Sequence, residues 1–351
     1  MTLKRIQVGV PVKYEVLIGD GILTDTGKYI RQFVNPCKAL IITDDNVDPL
    51  YSETVSNSLS SCGYSVCKYV ITSGERAKNI HTVGAILEFS ADNLLSESDI
   101  FIALGGGVIM DITGVTAALF RSGLRYMMIP TSFWGAVDSS TSGVSFLNLL
   151  AGRNLAGARW YPSLVLCDCG TFKTLPVSAF ENGIAEAIRL GMVDDLRLFE
   201  QFESGSIAFD HKNIVSRCVN IKRRILELSK HECDAIQLLG FGDIFGKAIR
   251  KYSDYSVSYA NSLAFAMVMA SKVAEKRGIT RENCSERLLR TFNRHNIDPN
   301  IPYDAKLLLH IILYDRKLTD GRIPIILPVR PGMCRRDTVS IDELWQVLQP
   351  E

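Results

Sequence analysis

The stretch DIFIALGGGVIMDITGVTAAL, Asp99–Leu119, decides the fold. Asp99–Leu104 is a short apolar, β-rich run of strand length, and it passes without a spacer into Gly105-Gly106-Gly107. From Val108 to Leu119 the pattern becomes helical. Three glycines let backbone approach a ligand closely. The helix start behind them offers free N–H groups and a positive dipole end to a pyrophosphate. The spacing is neither GxGxxG nor a P-loop, since no Gly-Lys-Ser/Thr follows. A tight turn requiring positive φ explains the glycines equally well on their own. Position favours the ligand, because open α/β sheets bind at the carboxyl ends of their strands.

Outward from this stretch the same alternation repeats. Strand-like runs stand at Ala39–Thr43, Ser65–Thr72, Tyr126–Ile129 and Leu164–Cys167, with an amphipathic stretch at Asn79–Phe89. This reads as a parallel sheet covered by helices. The N-terminal MTLKRIQVGVPVKYEV reads as a strand pair without a signal-peptide core. From about Ser178 the periods are helical, as in Ile184–Phe202, Asn213–Leu228 and Asn261–Lys276, interrupted late by the β-rich run Ile323–Val329. The expected fold is α/β: a Rossmann-like parallel-sheet domain over 1–175 and a mainly α-helical domain over 176–351.

The bulk composition narrows the function classes. In 351 residues the formal net charge is +1, which gives no general attraction to nucleic acid or an anionic membrane. No apolar run reaches the length of a spanning helix. Nine cysteines at irregular spacing give neither a disulfide framework nor zinc pairs. Cys167 and Cys169, one residue apart at a strand end, read as ordinary buried thiols. The cytoplasm is the expected compartment.

Several segments, in order, resemble the 3-dehydroquinate synthase (sugar phosphate cyclase) family. They are ITDDNV (Ile42–Val47), Gly74-Glu75-x-x-Lys78, LGGGVIMD (Leu104–Asp111), IPTS (Ile129–Ser132), VDSS (Val137–Ser140), GRNLAGA (Gly152–Ala158), KTLP (Lys173–Pro176) and NGIAEAI (Asn182–Ile188). LLGFGDIFGKAI (Leu238–Ile249), AFAMVMA (Ala264–Ala270), Asp315-Arg316-Lys317 and IPIILPV (Ile323–Val329) follow. The glycerol and iron-type alcohol dehydrogenases share the glycine turn, but VDSS followed by GRNLAGA is closer to the cyclases.

The resemblance implies NAD as cofactor, and a homodimer with the NAD domains paired. By position, Asp44 and Asn46 would face the adenosine end, and Glu75 and Lys78 the ribose region. Gly105, Gly106, Gly107 and Asp111 would line the pyrophosphate turn. Thr131 and Ser132 match a threonine pair, Asp138 the nicotinamide-side aspartate, and Asn154 and Thr174 also match. Arg153 stands where the family has lysine, and Met110 where it has glycine.

The departures fall on the chemistry. A working member of the family holds a zinc-type ion with one Glu and two His. Glu186 is kept, but the two His positions are Asp243 and Tyr259, and the neighbouring catalytic His is Lys247. All five histidines, at 81, 211, 231, 295 and 310, lie elsewhere. A site of Glu186, Asp243 and Tyr259 could weakly hold a hard cation but is poor for zinc, so no tightly held zinc is expected. Asp243 and Lys247 are four apart on a helical stretch; set against the family pattern, they are expected to form a buried pair, with the Lys247 ammonium partly replacing the dication. Family substrate anchors are also replaced, at Ser122, Val144, Ile236 and Gly240, whereas Lys222 and Arg316-Lys317 remain. This predicts a polyol or sugar-derived substrate that is smaller, less charged or less polar than a sugar phosphate.

Two classes of function follow. One is an NAD-dependent enzyme carrying out hydride transfer with elimination, epimerisation, cyclisation or plain dehydrogenation. Its candidate catalytic residues are Lys222, Lys247 and Tyr259, with Glu186 and Asp243. The other is a catalytically silent NAD-binding paralogue that pairs with an active relative.

Overall fold

The computed structural model describes residues 3–9, 13–138, 143–205, 210–229, 235–314 and 321–349. The chain divides into two compact units: Met1–Leu175 with His211–Val219, and Pro176–Asp210 with Asn220–Glu351. The helical period of Asn213–Leu228 alone would assign His211–Val219 to the helical half.

The first unit is built on β1 (Lys4–Gly9), β2 (Lys13–Gly19), α1 (Thr26–Ile30), β3 (Lys38–Asp44), α2 (Glu53–Ser61), β4 (Ser65–Ile71), α3 (Ile80–Asp92) and β5 (Ile100–Gly105). It continues with α4 (Gly107–Leu119), β6 (Arg125–Pro130), α5 (Phe133–Val137), β7 (Val144–Leu149), β8 (Gly152–Arg159) and β9 (Leu164–Asp168). Seven strands form one sheet in the order β1-β2-β9-β6-β5-β3-β4, antiparallel at β1–β2 and parallel elsewhere. Every residue of β5 is buried, as expected of a parallel strand covered on both faces. Alternation sends Ile102 and Leu104 into one core with Ile30 of α1 and Val55 and Leu59 of α2. Phe101 points the other way, 5.7 Å from the ring of Phe120 at the end of α4. The turn-to-helix junction expected at Gly105–Gly107 stands as read, with α4 starting at Gly107.

The expected strands and helices in this half lie within a residue or two of the observed ones, apart from the longer C-terminal end of α3. The hairpin β7–β8 was not read as strands. It pairs antiparallel as a separate ribbon. Of α8 (His211–Leu228), the first residues belong to this unit, where the His211 ring packs 6.0 Å from Phe133 and 5.8 Å from Phe172.

The second unit contains α6 (Val177–Asp194), α7 (Leu196–Ser204), the remainder of α8, α9 (Asp243–Tyr252), α10 (Tyr259–Lys276), α11 (Cys284–Arg294), α12 (Ala305–Tyr314), the ribbon β10 (Arg322–Arg330)–β11 (Met333–Ser340), and α13 (Ile341–Leu348). The helix expected over Ile184–Phe202 is two helices. Asp195 leaves helical φ/ψ, and its carboxylate accepts the Leu198 N–H at 3.1 Å, starting α7. The buried helix α10, rich in alanine, packs against α6, α9, α11, α13 and β10. Among the described residues no helix is long and apolar enough to cross a membrane.

Candidate functional site

In the first unit the strand order reverses at β3, with β4 on one side and β5 on the other. Ligands of open α/β sheets bind outside the carboxyl ends at such a point. There β3 delivers Asp44 and Asn46, β5 delivers Gly105–Gly107, and β6 delivers Thr131 and Ser132. The Thr131 N–H donates to the Gly105 carbonyl at 3.0 Å, locking these two strand ends together.

None of Gly105, Gly106 and Gly107 has positive φ, so backbone conformation does not require glycine in this turn. Space does. A Cβ on Gly105 would stand 2.7 Å from the Ile109 side chain, and one on Gly106 would stand 3.3 Å from Ser132 Oγ. The N-cap Gly106 carries no side-chain cap, so the first N–H groups of α4 are left for another acceptor. Bare backbone at a helix start suits the diphosphate of a dinucleotide.

Around the turn, side chains form a connected polar network. Buried Lys78 pairs with Asp111 of α4 and donates to Asn154 Oδ1 at 2.7 Å. Asp111 accepts the Phe146 N–H at 3.0 Å. Burial pushes the Asp111 carboxyl above its ordinary range, against the opposing pull of Lys78. Asn148 donates to Glu75 Oε1 at 2.8 Å and accepts the Asn154 N–H at 2.9 Å. Sequence reading named Glu75, Lys78, Asp111 and Asn154 but missed Asn148, which joins them from the unread hairpin. Asn154 itself has φ 56°.

The remaining first-unit positions are placed as follows. Asp44 Oδ1 accepts the Asn46 and Val47 N–H groups at 3.0 Å each, and burial raises its carboxyl. Asn46 is exposed. Ser132 Oγ accepts the Gly135 N–H at 3.1 Å and so caps α5, whose C-cap is Asp138. Arg153 lies in β8, and Thr174 Oγ is 2.6 Å from the Tyr51 hydroxyl. The VDSS serines and Arg316-Lys317 lie outside the described residues, as does His231.

In the second unit α6, α9 and α10 bring Glu186, Asp243 and Tyr259 into one connected group. Glu186 is fully buried. The Tyr259 hydroxyl donates to its Oε1, and Arg189 Nη2 lies 2.7 Å from its Oε2. Arg189 Nη1 reaches Asp243 Oδ1 at 3.4 Å, and Lys247 Nζ lies 2.9 Å from Asp243 Oδ2. Arg250 stacks over both Tyr255 and Tyr259, with its guanidinium carbon 5.3 and 5.5 Å from the ring centroids. Asp243 also lines a cavity of about 390 Å³ with Ile236, Gly240 and Arg336. Lys222 is buried on α8.

One expectation is corrected here. Lys247 does pair with Asp243, but its side chain is 66% exposed, so this is a surface i,i+4 pair rather than a buried one. The cation that joins Glu186 to Asp243 is Arg189, whose side chain is only 9% exposed. Sequence reading missed it, although its place three residues after Glu186 on the same helix was a usable signal.

The zinc-type ion that the resemblance implies does not suit these residues. Glu186, Asp243 and Tyr259 offer no imidazole, and the Tyr259 phenol spends its proton on Glu186. The guanidinium already engages both acids. A dication within about 4 Å of it would meet repulsion on the order of 8 kcal/mol at an effective dielectric of about 20. Among the described residues no group of three or more His, Cys, Asp and Glu side chains is arranged to hold a metal.

Comparison with known proteins covers nearly the whole chain. The family model described as 3-dehydroquinate synthase N-terminal matches residues 68–182, and the C-terminal model matches 183–318. The 3-dehydroquinate synthase of Clostridium acetobutylicum is 31% identical over 342 residues, covering 96% of each chain. That of Caldanaerobacter subterraneus is 34% identical over 325 residues, covering 90% of this chain and 91% of the relative. Among solved structures, 2-deoxy-scyllo-inosose synthase complexed with carbaglucose-6-phosphate, NAD+ and Co2+ superposes with a TM-score of 0.88 at 20% identity, over 99% of each chain. The 2-epi-5-epi-valiolone synthase from Streptomyces hygroscopicus, with NAD+ and Zn2+ bound, gives 0.86 at 23% identity over 98% of each chain.

Proposed function

The chain belongs to the 3-dehydroquinate synthase family, and from that premise we propose that it is an NAD-dependent enzyme of the sugar phosphate cyclase type that works without zinc on a polyol or sugar-derived substrate. The observation that carries this reading is the unequal fate of the two sites. The dinucleotide turn, with its Lys78–Asp111–Asn154 network, keeps the features a nucleotide needs. Where the resemblance implies a metal, the acids Glu186 and Asp243 are instead paired with Arg189.

In this reading Gly105–Gly107 and the start of α4 take the diphosphate, and Asp44, Asn46, Glu75, Lys78, Thr131, Ser132, Asp138, Arg153, Asn154 and Thr174 surround the rest of the dinucleotide. Bound there, NAD supplies a hydride acceptor. The second unit supplies proton transfer. The Tyr259 hydroxyl donates to Glu186, so Tyr259 Oη is the group proposed to give or take a proton while Arg189 stabilises the carboxylate. Lys222, buried on α8, is a further candidate for proton transfer. Val144 and Ile236, where the family pattern has cationic anchors, favour a substrate without a phosphate. The exposed apolar residues Phe146, Leu149, Leu150 and Leu155 of the β7–β8 hairpin support pairing of two first units in a homodimer.

The test is NAD reduction or substrate conversion by the EDTA-dialysed protein across a panel of polyols and their phosphates. Turnover that survives chelation and falls at least 100-fold in Tyr259→Phe supports the reading. NAD binding without turnover of any member would favour the silent paralogue, and activity that returns only with added zinc would refute a metal-free enzyme.

A further inference from the structure

We propose that Arg189 is the built-in cation of the second unit's acidic site. Its guanidinium does for Glu186 and Asp243 what a bound divalent ion would do, and removing it creates a divalent-cation site. Arg189 follows Glu186 by three residues on α6, so both side chains leave the same helix face. From there its Nη2 meets Glu186 Oε2 at 2.7 Å and its Nη1 reaches Asp243 Oδ1 at 3.4 Å. A planar fork with several donors can bridge two carboxylates in this way, as a bound ion would.

Lys247 cannot take this part. It is two-thirds exposed and engages Asp243 through the other oxygen, Oδ2. Tyr259 gives Glu186 a proton but no positive charge. Without Arg189, a fully buried carboxylate would face a second one across the space left by the guanidinium. Buried charge in that state is neutralised by taking up protons or by capturing a cation. The donors are all oxygen, which favours a hard ion such as Mn2+ or Mg2+ over zinc. Asp243 also lines the cavity of about 390 Å³, so one of the two acids faces open space.

The experiment measures Mn2+ binding by titration calorimetry and by Mn2+ electron paramagnetic resonance on the intact protein. It compares wild type, Arg189→Gln, Arg189→Ala and the double variant Arg189→Gln/Glu186→Gln. Neither NAD nor substrate is needed, so a failure here is separate from a failure of the proposed reaction. The expected result is a Kd on the order of 10⁻⁴–10⁻³ M in the single variants, at least tenfold weaker binding in wild type, and loss of the gain in the double variant. The proposal is overturned if neither Arg189 variant gains affinity over wild type, or if the double variant keeps the gain. Should both variants unfold, refolding is followed by near-ultraviolet circular dichroism with Mn2+ added at about 100 times the expected Kd. Recovery that requires the ion supports the proposal, and no recovery overturns it.

Discussion

At the scale of single residues, the two candidate sites respond differently to substitution. Gly106 needs no unusual φ, yet its missing Cβ leaves open the space before Ser132. Gly106→Val should therefore weaken NAD at least 100-fold while circular dichroism stays native; undiminished affinity in the folded variant would remove the turn from the cofactor site. Lys247→Ala should change stability by only a few tenths of a kcal/mol, because an exposed i,i+4 pair contributes no more. Arg189→Met leaves Glu186 buried beside Asp243 without its cation and should cost about 3–5 kcal/mol in urea unfolding. Similar losses in both variants would contradict the burial difference between them. Glu186, Asp243 and Tyr259 were legible in the sequence only against a family pattern that made their positions conspicuous. Arg189 was not, because a basic residue three positions after an acidic one reads as an ordinary helix-surface pair until burial is known.

At the scale of elements, the strands of the large sheet were legible because both faces are buried, leaving continuous apolar runs such as Phe101–Leu104. The hairpin was not. In β7 buried Ser145 is polar and exposed Phe146 is aromatic, and of the buried positions only Leu147 is apolar, so the usual alternation is broken. The reason lies in the helix beneath. A Cβ on Gly114 of α4 would stand 2.1 Å from Ser145 Oγ, so these two elements meet through their smallest side chains. Gly114→Ala should cost about 1–3 kcal/mol in urea unfolding, and Ser145→Gly in the same chain should recover part of it. No recovery would show that the strain lies elsewhere. In the helical unit, Arg287 of α11 grips Glu203 of α7 through two hydrogen bonds of 2.8 and 2.7 Å. Those bonds hold the Glu203 carboxyl below its ordinary value of 4.5. The folded chain therefore binds that proton less tightly than the unfolded chain. The pair's stabilisation is complete above the ordinary value and fades as pH falls below it through the folded value. Between pH 5 and 3, Arg287→Ala should flatten the loss of urea midpoint by an amount worth about 1 kcal/mol or less, the contribution being screened by partial exposure. An unchanged pH slope would exclude this pair as a source of acid sensitivity.

At the scale of the whole molecule, the boundary between sheet-rich and helix-rich halves was readable from the change of period near residue 175, since strands and helices bury apolar residues at different spacings. The return of His211–Val219 to the first unit was not, because it depends on ring packing between Phe133, Phe172 and His211, residues far apart in sequence. If the hairpin's apolar tip pairs two copies, Leu150→Asp with Leu155→Asp should shift the mass measured by light scattering at micromolar concentration from dimer to monomer; a wild-type monomer would end the idea. The discontinuous first unit also has a consequence for how the chain is born. Translation proceeds from the amino end, and the sheet is complete in covalent terms once Asp168 has left the ribosome. The residues that close its aromatic cluster and pair Lys212 with Asp20 arrive only when His211–Val219 has been made. At synthesis rates of about 5–20 residues per second, that is a delay of roughly 3–10 s. Throughout it the nascent sheet carries Phe133 and Phe172 without their closing partner, so the intervening helices α6 and α7 are synthesised against an unfinished domain. Folding here waits on a segment threaded back from the second half, and a chain stalled at residue 175 should remain open to protease and chaperone where one extended to 219 has closed.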